Sequence, residues 1–146
     1  MRHFVGGRLS GLALGALLAV TGCSTTEEAE PDVSSIRVTV GTQTITISSN
    51  GTVTGGPITI TRPTAPALSA SFLKADGTQD AIAHGSDFEL NAVSASATLL
   101  TFTRTSGFAG TLTGLAAGST QLAVSLRHIA DGDAHFGPFN VPVTVN

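Results

Sequence analysis

The sequence predicts an all-β protein that folds as an antiparallel β-sandwich. Apolar residues recur at every second position in a series of short runs after residue 34, which is the pattern of strands with one buried face. Glycine-containing turn signals separate these runs, and no segment after Cys23 combines helical periodicity with helix caps. Because each strand must bury its apolar face against a second sheet, we expect about seven to nine strands, with a small barrel as the alternative.

The strands are expected in order along the chain. The first carries Ile36, Val38 and Val40 on its apolar face, with Arg37 and Thr39 on the other. Further runs with the same period are Ile45 and Ile47; Ile58 and Ile60; Leu68, Ala70 and Phe72; Phe88, Leu90 and Ala92; Leu100 and Phe102; Leu122, Val124 and Leu126; and Val141, Val143 and Val145. These apolar positions are the predicted core.

Turn signals between the runs indicate where the strands end. They are Asn50-Gly51, Gly55-Gly56-Pro57, Asp76-Gly77, Ser106-Gly107, Ala117-Gly118 and Asp131-Gly132. Pro63 and Pro66 break the chain between two runs, because proline lacks the backbone donor that a central strand needs. The part before this break is too small for a core of its own. Residues 34–146 are therefore predicted to form one domain, in which the early strands make an edge hairpin.

The N-terminus carries a short apolar segment that ends at the single cysteine of the chain. Arg2 and Arg8 precede the apolar residues 9–20. This segment is too short to span a bilayer as a helix, which needs roughly 18 or more residues. The run Val20-Thr21-Gly22-Cys23 then resembles the lipobox of bacterial lipoprotein signals. The resemblance implies that residues 1–22 are a cleaved signal peptide. It also implies that Cys23 carries a lipid whose acyl chains include palmitate. An ordinary secretory signal with a chance cysteine is the alternative.

The residues after Cys23 are polar and acidic. Residues 24–32 contain Glu27, Glu28, Glu30 and Asp32 and lack large apolar side chains, a composition typical of a flexible tether. We interpret residues 23–33 as the lipidated cysteine with this tether. Ser24 follows the cysteine, and in Gram-negative lipoproteins a residue other than aspartate there resembles the signal for the outer membrane. The expected location is the bacterial outer membrane, with the domain facing the periplasm or the cell surface.

The charge pattern argues against nucleic acid as a partner. The formal charge of −3 becomes −5 once the two positive charges of Arg2 and Arg8 leave with the signal. A basic face needs clustered lysines or arginines. The remaining cations are instead scattered singly, at Arg37, Arg62, Lys74, Arg104 and Arg127. The partners we expect are the membrane, through the N-terminal lipid, and an unknown envelope protein or glycan.

One stretch of the folded part resembles a known family of domains. The run from Gly110 to Val124, GTLTGLAAGSTQLAV, looks like the closing portion of bacterial immunoglobulin-like domains of the Big class. The resemblance implies an immunoglobulin-like sandwich, with Phe102 at a core aromatic position that the family often fills with tryptophan. The connection from Phe102 to Gly110 is short for the family, and the chain continues past the usual end with residues 129–146. The resemblance therefore concerns the fold and not the partner.

A dense set of metal-ligand side chains lies near the C-terminus. His128, Asp131, Asp133 and His135 fall between the last two predicted strands, and two imidazoles with a carboxylate suit a divalent metal such as zinc. His84 joins this set if its loop lies at the same end of the sandwich. The alternative is that Asp131-Gly132-Asp133 is a polar turn with the histidines packed at its base. Calcium is a weaker variant, because Asp131 and Asp133 supply oxygen ligands but the loop lacks the glutamate and the spacing of an EF-hand.

Other acidic and hydroxyl side chains do not form a recognisable catalytic pattern. Asp76, Asp80, Asp87 and Glu89 are spread over a turn and a strand, which is typical of a solvated face. No motif marks a serine or the cysteine as a nucleophile beside an oriented histidine. We therefore expect no catalytic activity.

The phenylalanines divide into core and loop positions. Phe72, Phe88 and Phe102 share the apolar phase of their strands and are predicted core residues. Phe108 and Phe136 lie in or beside glycine-containing loops, where an aromatic side chain either anchors a partner or folds back to cap the sandwich. The sequence thus favours a lipid-anchored binding or structural module of the cell envelope. A metal-binding lipoprotein for ion scavenging or delivery is the alternative.

Overall fold

A computed structural model describes residues 29–146. This part of the chain forms ten strands: β1 (Ser35–Val40), β2 (Gln43–Ser48), β3 (Val53–Thr54), β4 (Ile58–Ile60), β5 (Ala67–Leu73), β6 (Phe88–Ser94), β7 (Leu100–Ser106), β8 (Ala109–Gly114), β9 (Gly118–His128) and β10 (Ala134–Val145). Within it, no helix is long and apolar enough to cross a membrane. The predicted signal peptide, Cys23 and most of the tether lie outside the described residues.

The strands form two sheets, as predicted for a sandwich. The larger sheet has the order β3-β2-β1-β5-β8-β7, and the smaller has the order β4-β10-β9-β6. Immunoglobulin domains pair their strands in the orders A-B-E-D and C-F-G, and the segments β1-β5-β8-β7 and β6-β9-β10 reproduce these two orders. The paired strands of residues 29–146 are antiparallel except for β4, which runs parallel to β10. The predicted all-β sandwich is thus confirmed.

The ten strands slightly exceed the expected seven to nine. The chain turns back at Gly41, where φ is 59°, to form β2 against β1, and β3 then adds two residues to the edge of the same sheet. After Gly55-Gly56-Pro57 the chain crosses to the other sheet, where β4 lies beside the C-terminal strand. The edge hairpin expected from the sequence is therefore present. The two strands that none of the predicted apolar runs covers are β3 and β8.

The core consists of the residues that the two-residue period selects. All of the predicted apolar positions from Ile36 to Val145 are buried except Phe102. Phe102 lies on β7, the edge strand of the larger sheet, and packs against the core while only half-buried. Its ring covers Gly110 so closely that a Cβ atom there would lie 2.4 Å from it. The aromatic position inferred from the family resemblance is thus at the sandwich edge.

A buried carboxylate links the two sheets at that edge. Glu89 of β6 has an exposed fraction of 6%, and its carboxylate bonds to Arg127 of β9 and to Arg104 of β7. Arg127 Nε donates to Glu89 Oε1 over 3.0 Å. Burial raises the pKa of Glu89, but hydrogen bonds from Arg127 and Arg104 lower it more, so the pKa lies below its usual 4.5. The expectation of a solvated face at Glu89 is therefore wrong.

Replacing Glu89 by glutamine should lower the free energy of unfolding by about 1–2 kcal/mol at neutral pH. The variant keeps the side-chain volume but leaves two guanidinium groups without their shared anion. The value is modest because both arginines are more than a third exposed to solvent. Since the folded pKa is depressed, this stabilisation is present above pH 4.5 and is lost as the pH falls through the folded pKa. Urea unfolding at neutral and acid pH checks both the size and the pH dependence, and an equal difference at both would contradict the assignment.

Candidate functional site

Three loops meet at one end of the sandwich, which we call the loop end: residues 74–87, 107–108 and 129–133. Backbone hydrogen bonds join them to one another and to the strands. Ile129 donates to the carbonyl of Asp87 over 2.8 Å, and Leu90 donates to the carbonyl of Gly107 over 2.7 Å. The register explains the convergence, because Phe88 at the start of β6 pairs with His128 at the end of β9. The loop end is thus held on a rigid scaffold.

A groove of about 560 Å³ lies between these loops. Its lining combines aromatic, apolar, hydroxyl and amide groups, from Ser69, Ala70, Gln79, His84, Gly85, Ser86, Phe88, Ser106, Gly107, Phe108, Ala109 and Ile129. The volume falls in the range of small-ligand pockets, and a mixed lining of this kind provides both contact area and hydrogen-bonding groups. This groove is the largest recess that we describe at the loop end.

Phe108, the first predicted partner-binding residue, lines this groove and also covers the core. Its ring is half-buried and lies 4.4 Å from the His84 ring and 6.0 Å from the Phe72 ring, between centroids. Phe108 therefore caps the core, and its role as an anchor for a partner stays a prediction. Phe136, the second, is not among the groove residues. It lies half-buried on β10, with its ring 5.1 Å from that of Phe139.

His84 completes the hydrogen bonding of β5 where that strand runs past its neighbour. On the side of β5 that faces β8, Ala70 donates to the carbonyl of Phe108, in the turn before β8. The next backbone donor on that side is the N–H of Phe72, which lies past the end of β8 and has no partner on that strand. His84 Nε2 accepts this N–H over 2.9 Å. Burial lowers the pKa of His84 below 6.5, against a smaller opposing effect of Asp80. Because Nε2 accepts this N–H, the bond requires the neutral imidazole with its proton on Nδ1.

Asp80 fastens the long loop and the N-terminal segment together. Its carboxylate is 1% exposed, and Oδ1 accepts the N–H of Ala83 over 2.7 Å. Oδ2 accepts the N–H of Asp32 over 3.2 Å and lies 3.8 Å from Nζ of Lys74. The sequence assigned Asp80 to a solvated face, and that prediction is wrong. The local sequence around Asp80 does not show that the segment with Asp32, 48 residues away, covers this carboxylate.

Acidification should destabilise the protein through His84. Because its folded pKa is depressed, the unfolded chain takes up the proton first. The contribution of His84 is thus complete above pH 6.5 and is lost as the pH falls through the folded pKa. His84→Gln keeps an acceptor for the Phe72 N–H but does not titrate. We expect its urea midpoint to change less than that of the wild type between about pH 7.5 and about pH 5.5. An identical change in both proteins would contradict this role.

A second, smaller cavity of about 140 Å³ adjoins the groove behind Phe88. Ala29, Glu30, Phe88, His128, Asp131 and His135 line it. The rings of His128 and His135 lie 5.6 Å apart, and each lies just over 5 Å from the Phe88 ring. Nδ1 of His128 lies 3.0 Å from Oδ2 of Asp131, and Nδ1 of His135 lies 2.9 Å from Oε2 of Glu30. Two histidine–carboxylate pairs thus face one cavity.

The structure brings together three of the four predicted metal ligands. Asp133 is not among the cavity residues, and it contributes backbone bonds instead: its N–H donates to Oδ1 of Asp131 over 2.9 Å. Gly132, with φ at 81°, turns the chain between them. The hydrogen bond from the Asp133 N–H, followed by that from His128, lowers the pKa of Asp131. Residues 131–133 therefore form the polar turn that was weighed against the metal site.

These side chains share one end of the sandwich without forming a cluster of ligands in the part of the chain that the structure describes. Within residues 29–146, no group of three or more His, Cys, Asp or Glu side chains is placed to hold a metal ion. His84 lies at the same end of the sandwich, but its Nε2 is bonded to the Phe72 N–H and it lines the groove, not the cavity. The metal assignment of His128, Asp131, Asp133 and His135 remains a prediction from the sequence.

Comparison with known proteins adds no assignment. No protein-family model matches the chain. A search of curated proteins also finds no match.

Proposed function

We propose that the protein is a lipid-anchored binding module of the bacterial cell envelope, which holds a partner at its loop end and has no catalytic activity. Residues 1–22 act as the signal peptide, Cys23 carries the lipid, and residues 34–146 form the displayed domain. The sequence from Arg2 to Cys23 supports this anchor through its resemblance to lipoprotein signals. Ser24 supports placement in the outer membrane.

The observation that carries this proposal is the groove between the three converging loops. Its walls come from all three loops and from the adjoining ends of β5, β6, β7 and β8, so its shape does not depend on one segment alone. Loops fixed in this way on a β-sandwich are the usual place for recognition. Phe108 in the groove and the exposed Ile129 at its rim provide apolar contact area, while Gln79 and Ser86 provide hydrogen bonds. An envelope protein or a glycan fits this chemistry.

The proposal is tested by crosslinking in living cells. A photoreactive p-benzoylphenylalanine replaces Ile129 at the loop end or Leu115, which lies between β8 and β9 at the opposite end. The two positions are a matched pair, because their exposed fractions are 52% and 49%. We expect discrete crosslinked products from position 129 and not from position 115. The same products from both positions, or products from position 115 alone, would contradict the loop end as the binding surface.

The second candidate function, metal binding, is favoured by one observation. Each imidazole at the small cavity has a carboxylate on Nδ1, and metal-binding histidines commonly have such an outer partner on their second nitrogen. Elemental analysis after incubation with mixed divalent metals and desalting separates the candidates. Near-stoichiometric metal that disappears in a His128→Ala, His135→Ala double variant would make ion handling the leading function. Absence of metal from both proteins leaves the binding module.

A further inference from the structure

The chain reaches the sandwich at the loop end. Ser34 donates to the carbonyl of Leu73 over 2.8 Å, and Ser35 pairs with Leu73 at the end of β5. Leu73 is the last residue before the long loop of residues 74–87. The start of the folded domain and the candidate binding loops therefore lie on the same side of the molecule.

The residues just before β1 are bound to this end. Glu30 pairs with His135, and the N–H of Asp32 donates to the buried Asp80. Ala29 and Glu30 form part of the wall of the small cavity. Val33 packs against the core. The chain is thus bound to the loop end from Ala29 onward, which leaves a short stretch between Cys23 and the domain.

The length of that stretch limits where the loop end can go. The six Cα-to-Cα steps from Cys23 to Ala29, each spanning at most about 3.3–3.6 Å, reach roughly 20 Å when fully extended. The sandwich itself is longer: β10 has 12 residues, which at about 3.3 Å each span roughly 40 Å. A lipid on Cys23 therefore keeps the loop end within roughly 20 Å of the bilayer, whereas the opposite end can lie up to roughly 60 Å away.

We propose that the loop end faces the membrane that holds the lipid, and that its partner is a protein resident in that membrane. This inference rests on the proposed lipid anchor. A partner located farther from the membrane than the domain would contact the opposite end of the sandwich and not the loop end. The orientation therefore indicates that the envelope partner lies beside the lipid anchor.

The charge of the loop end favours a protein over the lipid headgroups themselves. Exposed carboxylates surround the loops, at Glu30, Asp32, Asp76, Asp87, Asp131 and Asp133. Lys74 is the one lysine or arginine within the three loops. Anionic headgroups are repelled by such a surface, whereas a basic patch on a membrane protein complements it. The exposed Ile82 and Ile129 add apolar contacts to this interface.

The orientation is measured by energy transfer in vesicles. Full-length lipidated protein is inserted into phosphatidylethanolamine–phosphatidylglycerol vesicles that contain an acceptor dye on the headgroups. A donor dye is attached to a new cysteine, Ala130→Cys at the loop end or Ala117→Cys at the opposite end. Both positions are exposed, and the lipid on Cys23 blocks labelling there. We expect transfer efficiency from position 130 to exceed that from position 117 by about twofold or more.

The outcomes separate the orientation from the anchor. Protein that sediments with the vesicles but shows equal or reversed transfer would overturn the orientation alone. Protein that does not sediment would overturn the anchor, and the orientation with it. The unlipidated Cys23→Ala protein should not sediment with the same vesicles. If it does, the headgroups themselves bind the domain, and the membrane-protein partner is excluded.

Discussion

Replacing Phe72 by alanine should lower the free energy of unfolding by about 3–5 kcal/mol. Phe72 is among the largest fully buried side chains, and its ring contacts those of His84 and Phe108 at the loop end. Its removal leaves a cavity where the core meets the candidate site. The chain has one cysteine, so no disulfide within it limits the loss. A small domain whose stability is near the lower end of the usual range of about 5–15 kcal/mol will then be close to unfolding.

The control for this prediction is Phe108→Ala, which removes a half-buried ring that lines the groove. It should lower stability by clearly less than Phe72→Ala does, because part of that ring already contacts water. Urea unfolding followed by circular dichroism measures both variants, since the chain has no tryptophan to report by fluorescence. A loss below about 1 kcal/mol for Phe72→Ala, or a larger loss for Phe108→Ala, would contradict the assigned core.

Replacing Cys23 by alanine should remove the protein from the membrane fraction almost completely. Each buried CH₂ group of a lipid contributes about 0.8 kcal/mol, and two or more acyl chains make attachment effectively permanent. No helix in residues 29–146 offers a second means of spanning the bilayer. The measurement is incorporation of radioactive palmitate together with fractionation of the cells into membrane and soluble parts.

The matched control is Ser24→Ala, which changes the neighbouring residue and keeps the cysteine. It should still incorporate label and sediment with membranes. If the Cys23→Ala protein is still labelled and sediments, the lipid is elsewhere. The short distance between anchor and loop end would then lose its basis.

The sandwich was predictable because it follows from local pattern. Alternation at Ile36, Val38 and Val40 reports which face of a strand is buried, and a period of two needs no knowledge of the neighbouring strand. The glycine-containing turns predicted most strand ends for the same reason. The crossing of β4 to the opposite sheet was not predictable from three residues, because a short apolar run does not specify its partner.

The candidate site was only partly predictable because its key contacts are distant in sequence. The spacing of His128, Asp131 and His135 indicated that they would meet, since they flank one turn. The burial of Asp80 and Glu89 depends on Asp32 and Arg127, which lie 48 and 38 residues from them. Sequence alone assigns such carboxylates to the surface, where most of them lie. The groove likewise exists only once three separate loops are assembled.

Hydrogen–deuterium exchange of the lipidated protein in isolated cell envelopes tests the central claim most directly. The reference is the same protein purified in detergent, without its envelope partners. Occupation of the loop end predicts slower exchange in residues 74–87 and 129–133 in the envelope sample. The opposite end, residues 61–66 and 95–99, should exchange at the same rate in both samples. Slower exchange at the opposite end, with the loop end unchanged, would contradict the account.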